Sequence, residues 1–302
     1  MIIKSNFSFI IWTFLIIQCN ALKLSFVLPC IECTGCVGHR GYPEKNPENT
    51  ILSLQQALLL GVDGLESDVR LTKDGEVIMM HDLDLDRTTN GTGLVEERNW
   101  KGYIEYLKCK IDNNDNYSDD LSSENVPKFQ QVLDLLKREE NKNIYLILDI
   151  KDDNNILILD AIFEIIKSNE PYDFSSQLHF GVWNSEFLIR TQELFSIFHN
   201  NKIPISHIGD NVTLARTEFF DNVESYNLDY IVILKDITGF AKQIKIRGRK
   251  LFVWTVDEEK DIEISMLFGV DAILSNDPLK CINVRRRLSR NARNRVSLKV
   301  QY

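Results

Sequence analysis

The sequence contains no glycine-rich nucleotide loop of the expected form, which removes the main support for an open, doubly wound nucleotide-binding sheet. No fourth ligand lies near Cys30, Cys33 and Cys36, so their close spacing defines no zinc or iron–sulfur site. Acids are missing from the last eighteen residues, which carry Arg285, Arg286, Arg287, Arg290, Arg293, Arg295 and Lys299. The chain has a formal charge of -9, so setting these seven positive charges aside leaves -16 on the remainder. Body and tail therefore differ in electrostatic character. The tail, residues 283–302, is a candidate for contact with an anionic membrane surface, with a solvated arm as the alternative. Nothing in the pattern points to nucleic acid.

No apolar run is comfortably long enough to cross a bilayer. Lys4 precedes an apolar stretch from Phe7 to Ile17, and Gln18-Cys19-Asn20-Ala21 then offers small residues for cleavage. Residues 1–21 read as a signal peptide, and the expected destination is the secretory pathway, as a secreted or lumenal protein. The alternative is an uncleaved anchor running on to Leu28, interrupted only by Lys23. Cleavage leaves Cys30, Cys33, Cys36, Cys109 and Cys281, an odd number, so at least one thiol is free or shared between chains. Cys36 is expected in a first strand as a small apolar residue, and a disulfide among the first three is left open.

What is present concentrates between Gly38 and Gly93. At 302 residues and 44% hydrophobic content, one large core is the default. Ile51, Leu54, Gln55 and Leu58 behind Asn49-Thr50 form a capped helix closed by Gly61. Leu65 to Leu71 alternates, which puts Glu66, Asp68 and Arg70 on one face of a strand. Lys73-Asp74-Gly75-Glu76 predicts a hairpin with a two-residue loop. That register pairs Lys73 with Glu76 and sets Asp68 opposite His81.

Residues 83–124 are polar and irregular, with Trp100, Tyr103 and Tyr106 scattered through them, and are expected to be an insertion covering a site. Strands then recur near 144–151, 178–183, 204–209, 229–234, 251–256 and 271–275, each with a helix after it. With strands at 36–38 and 64–71 these make eight βα units. The fold class is α/β, a (β/α)₈ TIM barrel over residues 22–282 with a β-hairpin and a small insertion after the second strand.

Barrel chemistry sits at the C-terminal strand ends. There, Asp149 and Lys151 share a face, so Glu66, Asp68 and Asp149 supply three carboxylates for one hard divalent cation. Arg40 and Lys151 are placed to hold phosphate oxygens, and His39 and His81 to move protons. Trp254 is a candidate for the pocket wall, with core packing as its competitor. His179, His199 and His207 fit no motif and are assigned structural roles.

The runs GHRGYPEKNPENT, GLESDVRLTKDGEVIMMHD and RTTNGTG, followed by LILDIK, HFGVW, KLFVWTVD and GVDAILSNDP, resemble the glycerophosphodiester phosphodiesterase family, in the phosphatidylinositol-phospholipase-C-like barrel superfamily. The resemblance covers roughly residues 37–282. LDIKDDN, FGVWNSEF and FVWTVD are most similar to the fungal-type phosphatidylglycerol-specific phospholipase C branch. It implies His39 and His81 as acid and base, and Glu66 and Asp68 as ligands of Mg²⁺ or Ca²⁺. The third ligand in the family is usually a glutamate in an ExK strand end, where this chain has Asp149 in DIK. The implied substrate is a glycerophosphodiester or a phospholipid such as phosphatidylglycerol. The alternative is an inactive barrel kept as a secreted binding protein.

Overall fold

A computed structural model describes residues 30–113, 116–198, 203–235 and 239–299. The candidate signal peptide and His199 lie outside the described residues. The chain begins with β1 (Gly35–Gly38), α1 (Ile51–Leu60), β2 (Gly64–Leu71) and β3 (Val77–Met79). The insertion adds β4 (Lys108–Asn113) and β5 (Asn116–Asn125) before α2 (Phe129–Leu136). Alternation then resumes with β6 (Tyr145–Ile150), α3 (Leu157–Ser168), β7 (Leu178–Val182), α4 (Ser185–Ile197), β8 (Ile205–Gly209) and α5 (Val212–Glu218). It ends with β9 (Ser225–Asp229), α6 (Tyr230–Lys235), α7 (Phe240–Ile246), β10 (Lys250–Trp254), α8 (Glu259–Phe268), β11 (Ala272–Ser275) and α9 (Pro278–Lys299).

β1, β2 and β6 to β11 pair in parallel, and β1 pairs with both β11 and β2, which closes the ring. The eight-unit barrel expected from the sequence is therefore the fold. Strand side chains alternate: Val37, Ile147, Ile208, Phe252, Ala272 and Leu274 fill the interior, while a larger apolar cluster lies between sheet and helices. Thr50 caps α1 by accepting from the Ser53 N–H, and Gly61 ends it in the left-handed region at φ +82°.

Five details depart from the sequence reading. The strand expected at 229–234 is at Ser225–Asp229, and the β-branched run after it is helical. Asp229 explains the switch, because its carboxylate accepts from the Val232 N–H at 3.0 Å and so caps α6. Second, the hairpin loop has three residues. Leu71 pairs with Val77 and the Thr72 N–H donates to the Glu76 carbonyl, with Gly75 at φ +84°. The register slips by one, so Met80 rather than His81 pairs with Asp68. Asp74 is drawn into the insertion instead, accepting from the Trp100 and Lys101 N–H groups.

Third, the insertion is not simply polar and irregular. It carries the β4–β5 hairpin, and Leu85, Val95, Ile104, Leu107 and Cys109 form a satellite core on Ile78 and Met80, with Trp100 and Tyr103 against it. Fourth, residues 283–299, set apart in the sequence as a basic tail, belong to α9. Arg285 pairs with Asp63, Arg287 with Glu259 and Glu263, and Arg293 with Glu32. These cations answer acids of the body. Fifth, Cys36 is buried in β1 as expected, yet it forms a disulfide with Cys281 in α9, across 245 positions of sequence. Cys30 and Cys33 are also disulfide-bonded, and Cys109 is free and buried. Removing the long-range bridge by Cys36→Ala is expected to cost about 2–5 kcal/mol. The melting temperature should fall by roughly 5–15 °C in a thermal scan, and reductant should lower the wild type by more than the variant, which keeps bonded Cys30 and Cys33.

Candidate active site

β1 ends at Gly38, where any Cβ would meet the Gly41 carbonyl oxygen at 2.3 Å. Gly41 is itself at φ +90°, and Arg40 adopts φ +54°, a conformation that a long side chain seldom takes. The turn is held from every side. The Arg40 N–H donates to Glu66 Oε2 at 2.9 Å, and its carbonyl accepts from the Asn49 N–H and the Ser53 hydroxyl. This strained turn seats His39 at the mouth.

Parallel register places Asp68 of β2 beside Asp149 of β6. Glu66, Asp68 and Asp149 are buried, with ligand oxygens within 4.8 Å of one another. Lys151 Nζ lies 3.0 Å from Asp68 Oδ1 and 2.6 Å from Asp149 Oδ2, and Arg40 Nε is 3.2 Å from Asp68 Oδ2. Burial and the charges of Asp68 and Asp149 push the Glu66 carboxyl well above its ordinary value. Asp68 stays well below, because Lys151, Arg40 and His81 outweigh its burial. Asp149 is raised, mainly by burial.

Among the described residues around this centre, five carboxylates (Glu48, Glu66, Asp68, Asp82 and Asp149) meet three permanent cations (Arg40, Arg87 and Lys151). Fully ionised, this set would leave two negative charges on oxygen ligands, which is what a hard divalent cation would neutralise. The donor set fits such an ion on Glu66, Asp68 and Asp149.

Both histidines have fixed tautomers. Asn276 Nδ2 donates to Asp257 Oδ2 at 2.8 Å, and a carboxylate only accepts, so Asn276 Oδ1 faces His39 Nδ1, 2.7 Å away. His39 must carry its proton on Nδ1, leaving Nε2 as the basic nitrogen, 3.8 Å from Glu66 Oε2. Burial and the neighbouring Arg40 lower the His39 pKa to about 4, so the imidazole is neutral at pH 7. His81 arrives from the turn beyond β3, its carbonyl held by Arg70 Nε and Nη2 at 3.0 and 2.6 Å. Its Nδ1 faces Asp82 Oδ1 at 2.7 Å, which again leaves Nε2 for the pocket. Asp82 is held in turn by Arg87, and Arg87 by Glu48.

All of the expected site residues His39, Arg40, Glu66, Asp68, His81, Asp149 and Lys151 are brought together, and a cavity of about 130 Å³ opens beside them. Its other wall is Trp183, Trp254, Thr255, Ile208, Leu274 and Asn227. Trp254 thus lines the pocket. His179 and His207 are away from it, His207 stacked on Phe219. Several functional residues escaped the sequence reading. Asn49 orients Asp68, donating to its Oδ2 at 2.9 Å and accepting from its N–H. Asp257, Asn276 and Trp183 sat in recognised runs (VWTVD, LSNDP, FGVW), while Asn227 was hidden by the misplaced strand.

Proton-transfer groups stand here on both sides of a centre that can hold anion and cation together, and no serine or cysteine lines the pocket among the described residues. That is equipment for displacement at phosphorus with proton transfer to and from oxygen, and the class it defines is a phosphoric diester hydrolase. The model of the Glycerophosphoryl diester phosphodiesterase family matches residues 39–280. The chain belongs to that family. A glycerophosphodiester phosphodiesterase of Caldanaerobacter subterraneus is 31% identical over 257 residues, covering 83% of this chain and 97% of the relative. Human lysophospholipase D GDPD1 is 23% identical, covering 81% and 83%. Among solved structures, an Oleispira antarctica phosphodiesterase in complex with the product sn-glycerol-3-phosphate superimposes with a TM-score of 0.68, at 22% identity, covering 82% of this chain and 95% of that one.

Proposed function

We propose that the protein hydrolyses glycerophosphodiesters to glycerol phosphate and a free alcohol, with a divalent cation on Glu66, Asp68 and Asp149. The observation that carries this reading is the pair of imidazoles lining one pocket, each bonded through Nδ1 to a fixed acceptor so that Nε2 is left available. His39, kept neutral by burial and by Arg40, takes the proton from the attacking oxygen, which is either water or a glycerol hydroxyl whose cyclic phosphate product water then opens to glycerol phosphate. As the P–O bond to the leaving alcohol breaks, His81, entering the step as the imidazolium with its Nδ1–H on Asp82, gives its Nε2 proton to the departing oxygen and is left neutral. Arg40 and Lys151 line the pocket and supply the cationic groups for the phosphate oxygens. The cation, Mg²⁺ or Ca²⁺, supplies charge neutralisation of the phosphate when bound. With Asp68 and Asp149 serving as ligands of that cation, Lys151, which pairs with both, would be free to meet the anion.

A lipid substrate is the second reading, favoured by one feature. Between the insertion and α3 lies a cavity of about 540 Å³, lined by Leu83, Leu94 and Leu157, which are each more than a third exposed. Arg70, which holds the His81 carbonyl, lines it as well. We also place the protein in the secretory pathway, supported by the apolar N-terminal run and by the disulfide-bonded cysteines, which reducing compartments disfavour.

Purified protein should be assayed on glycerophosphocholine, lysophosphatidylcholine and phosphatidylglycerol, with EDTA and with added Mg²⁺ or Ca²⁺. Release of glycerol phosphate from glycerophosphocholine, lost in EDTA and restored by cation, is expected. Turnover of none of the three with any divalent metal would sink the enzymatic reading.

A further inference from the structure

We infer that Asn227 reads a hydroxyl of the substrate's glycerol arm, so that glycerol enters the pocket and the variable headgroup stays at the mouth; this rests on the glycerophosphodiester reading above. Asn227 lies on the interior face of β9, opposite Ile208 in the register with β8. It is 1% exposed, and its side-chain Oδ1 has no hydrogen-bond partner among the described residues. A buried amide oxygen left without a donor is costly, and native interiors rarely keep one without a use for it. Because Asn227 lines the catalytic cavity, the missing partner has a place to bind.

The surrounding walls narrow the choice of partner. Trp183 donates its Nε1–H to Asp149 Oδ1 at 2.6 Å, and Trp254 donates its own to the Asn227 carbonyl at 2.9 Å. Both indole donors are spent within the protein. The two rings, 5.8 Å apart, and the side chains of Ile208 and Leu274 therefore present carbon to the cavity. A ligand arm that suits this space has C–H faces for the indoles and at least one O–H for Asn227. Glycerol has both. A trimethylammonium headgroup has no donor and would leave Asn227 unsatisfied. A hydroxyl both donates and accepts, so either orientation of the Asn227 amide serves.

Sites built around a substrate hydroxyl discriminate by leaving their own polar group unpaired when it is missing. The experiment uses the cation-loaded enzyme turning over glycerophosphocholine, with two competitive inhibitors, sn-glycerol 3-phosphate and n-propyl phosphate, which has the same carbon count and no hydroxyl. Asn227→Leu is expected to weaken glycerol 3-phosphate inhibition by roughly tenfold and to leave that by propyl phosphate unchanged. Asn227→Ala is a second variant for the case in which leucine does not fit. Unchanged propyl phosphate inhibition certifies an intact site in either. Equal weakening of both inhibitors, or of neither, overturns the inference and leaves the enzymatic reading standing. Failure of the wild type to turn over any glycerophosphodiester overturns both.

Discussion

Replacing His39 by glutamine is expected to lower kcat about 10²–10⁴-fold while KM for glycerophosphocholine changes by no more than roughly threefold. The expectation follows from how the imidazole is held. Asp257 orients Asn276, and Asn276 fixes the Nδ1–H tautomer, so Nε2 is free to accept a proton. Glutamine keeps much of the volume and can still bond Asn276, but it has no basic nitrogen. The same geometry gives a pH signature. Burial and Arg40 hold the His39 pKa near 4, so the imidazole stays basic well below pH 6.5. A bound cation nearby pushes in the same direction. The acid limb of kcat/KM assigned to His39 should therefore lie far below the ordinary imidazole range, and it should vanish in the glutamine variant. Asn276→Leu should lose about 10–100-fold, as changes behind a functional histidine typically do. Wild-type-like kcat in His39→Gln would remove His39 from the chemistry.

The second large effect separates activity from stability. Glu66→Gln is expected to lower activity by more than about a hundredfold, beyond the 10–100-fold typical of changes one layer out. It should nevertheless melt roughly 3–5 °C higher than the wild type in cation-free buffer at neutral pH. Glu66 is raised by burial and by repulsion from Asp68 and Asp149. A carboxyl whose folded pKa exceeds its unfolded one contributes stability at low pH, and that contribution is lost as pH rises through the folded value. The loss sets in as pH rises above the unfolded value, and glutamine, which does not titrate, removes the dependence. Added Mg²⁺ or Ca²⁺ should raise the melting temperature of the wild type and leave the variant nearly unmoved. Because a proton and the cation compete for Glu66, the cation's apparent affinity should also fall as pH is lowered. A Glu66→Gln protein that melts below the cation-free wild type would contradict this electrostatic account.

The barrel was legible because strand alternation and helix spacing are local signals, and seven of the eight barrel strands lie where alternation put them. β9 was misplaced because Tyr230-Ile231-Val232-Ile233 has strand composition, whereas the segment is a helix capped by the Asp229 carboxylate. The hairpin register depended on whether Gly75 closes a two- or a three-residue loop, and the answer lies in contacts from Asp74 to residues 26 and 27 positions away. The carboxylates and histidines were readable as types at fixed spacing. What holds them was not, since Asn276 reaches His39 across 237 positions and Arg87 reaches Glu48 across 39. The Cys36 to Cys281 bridge was beyond spacing arguments for the same reason. Its partners meet only once the ring has closed.

That bridge has a topological consequence. Between Cys36 and Cys281 the oxidised chain is a covalent hoop that contains every catalytic side chain named above. A protease that cuts it once, at any exposed connection, opens the hoop but releases no fragment. The nicked molecule would migrate as two pieces only after reduction. An enzyme with this arrangement tolerates single cleavages that would separate the halves of an unclasped barrel.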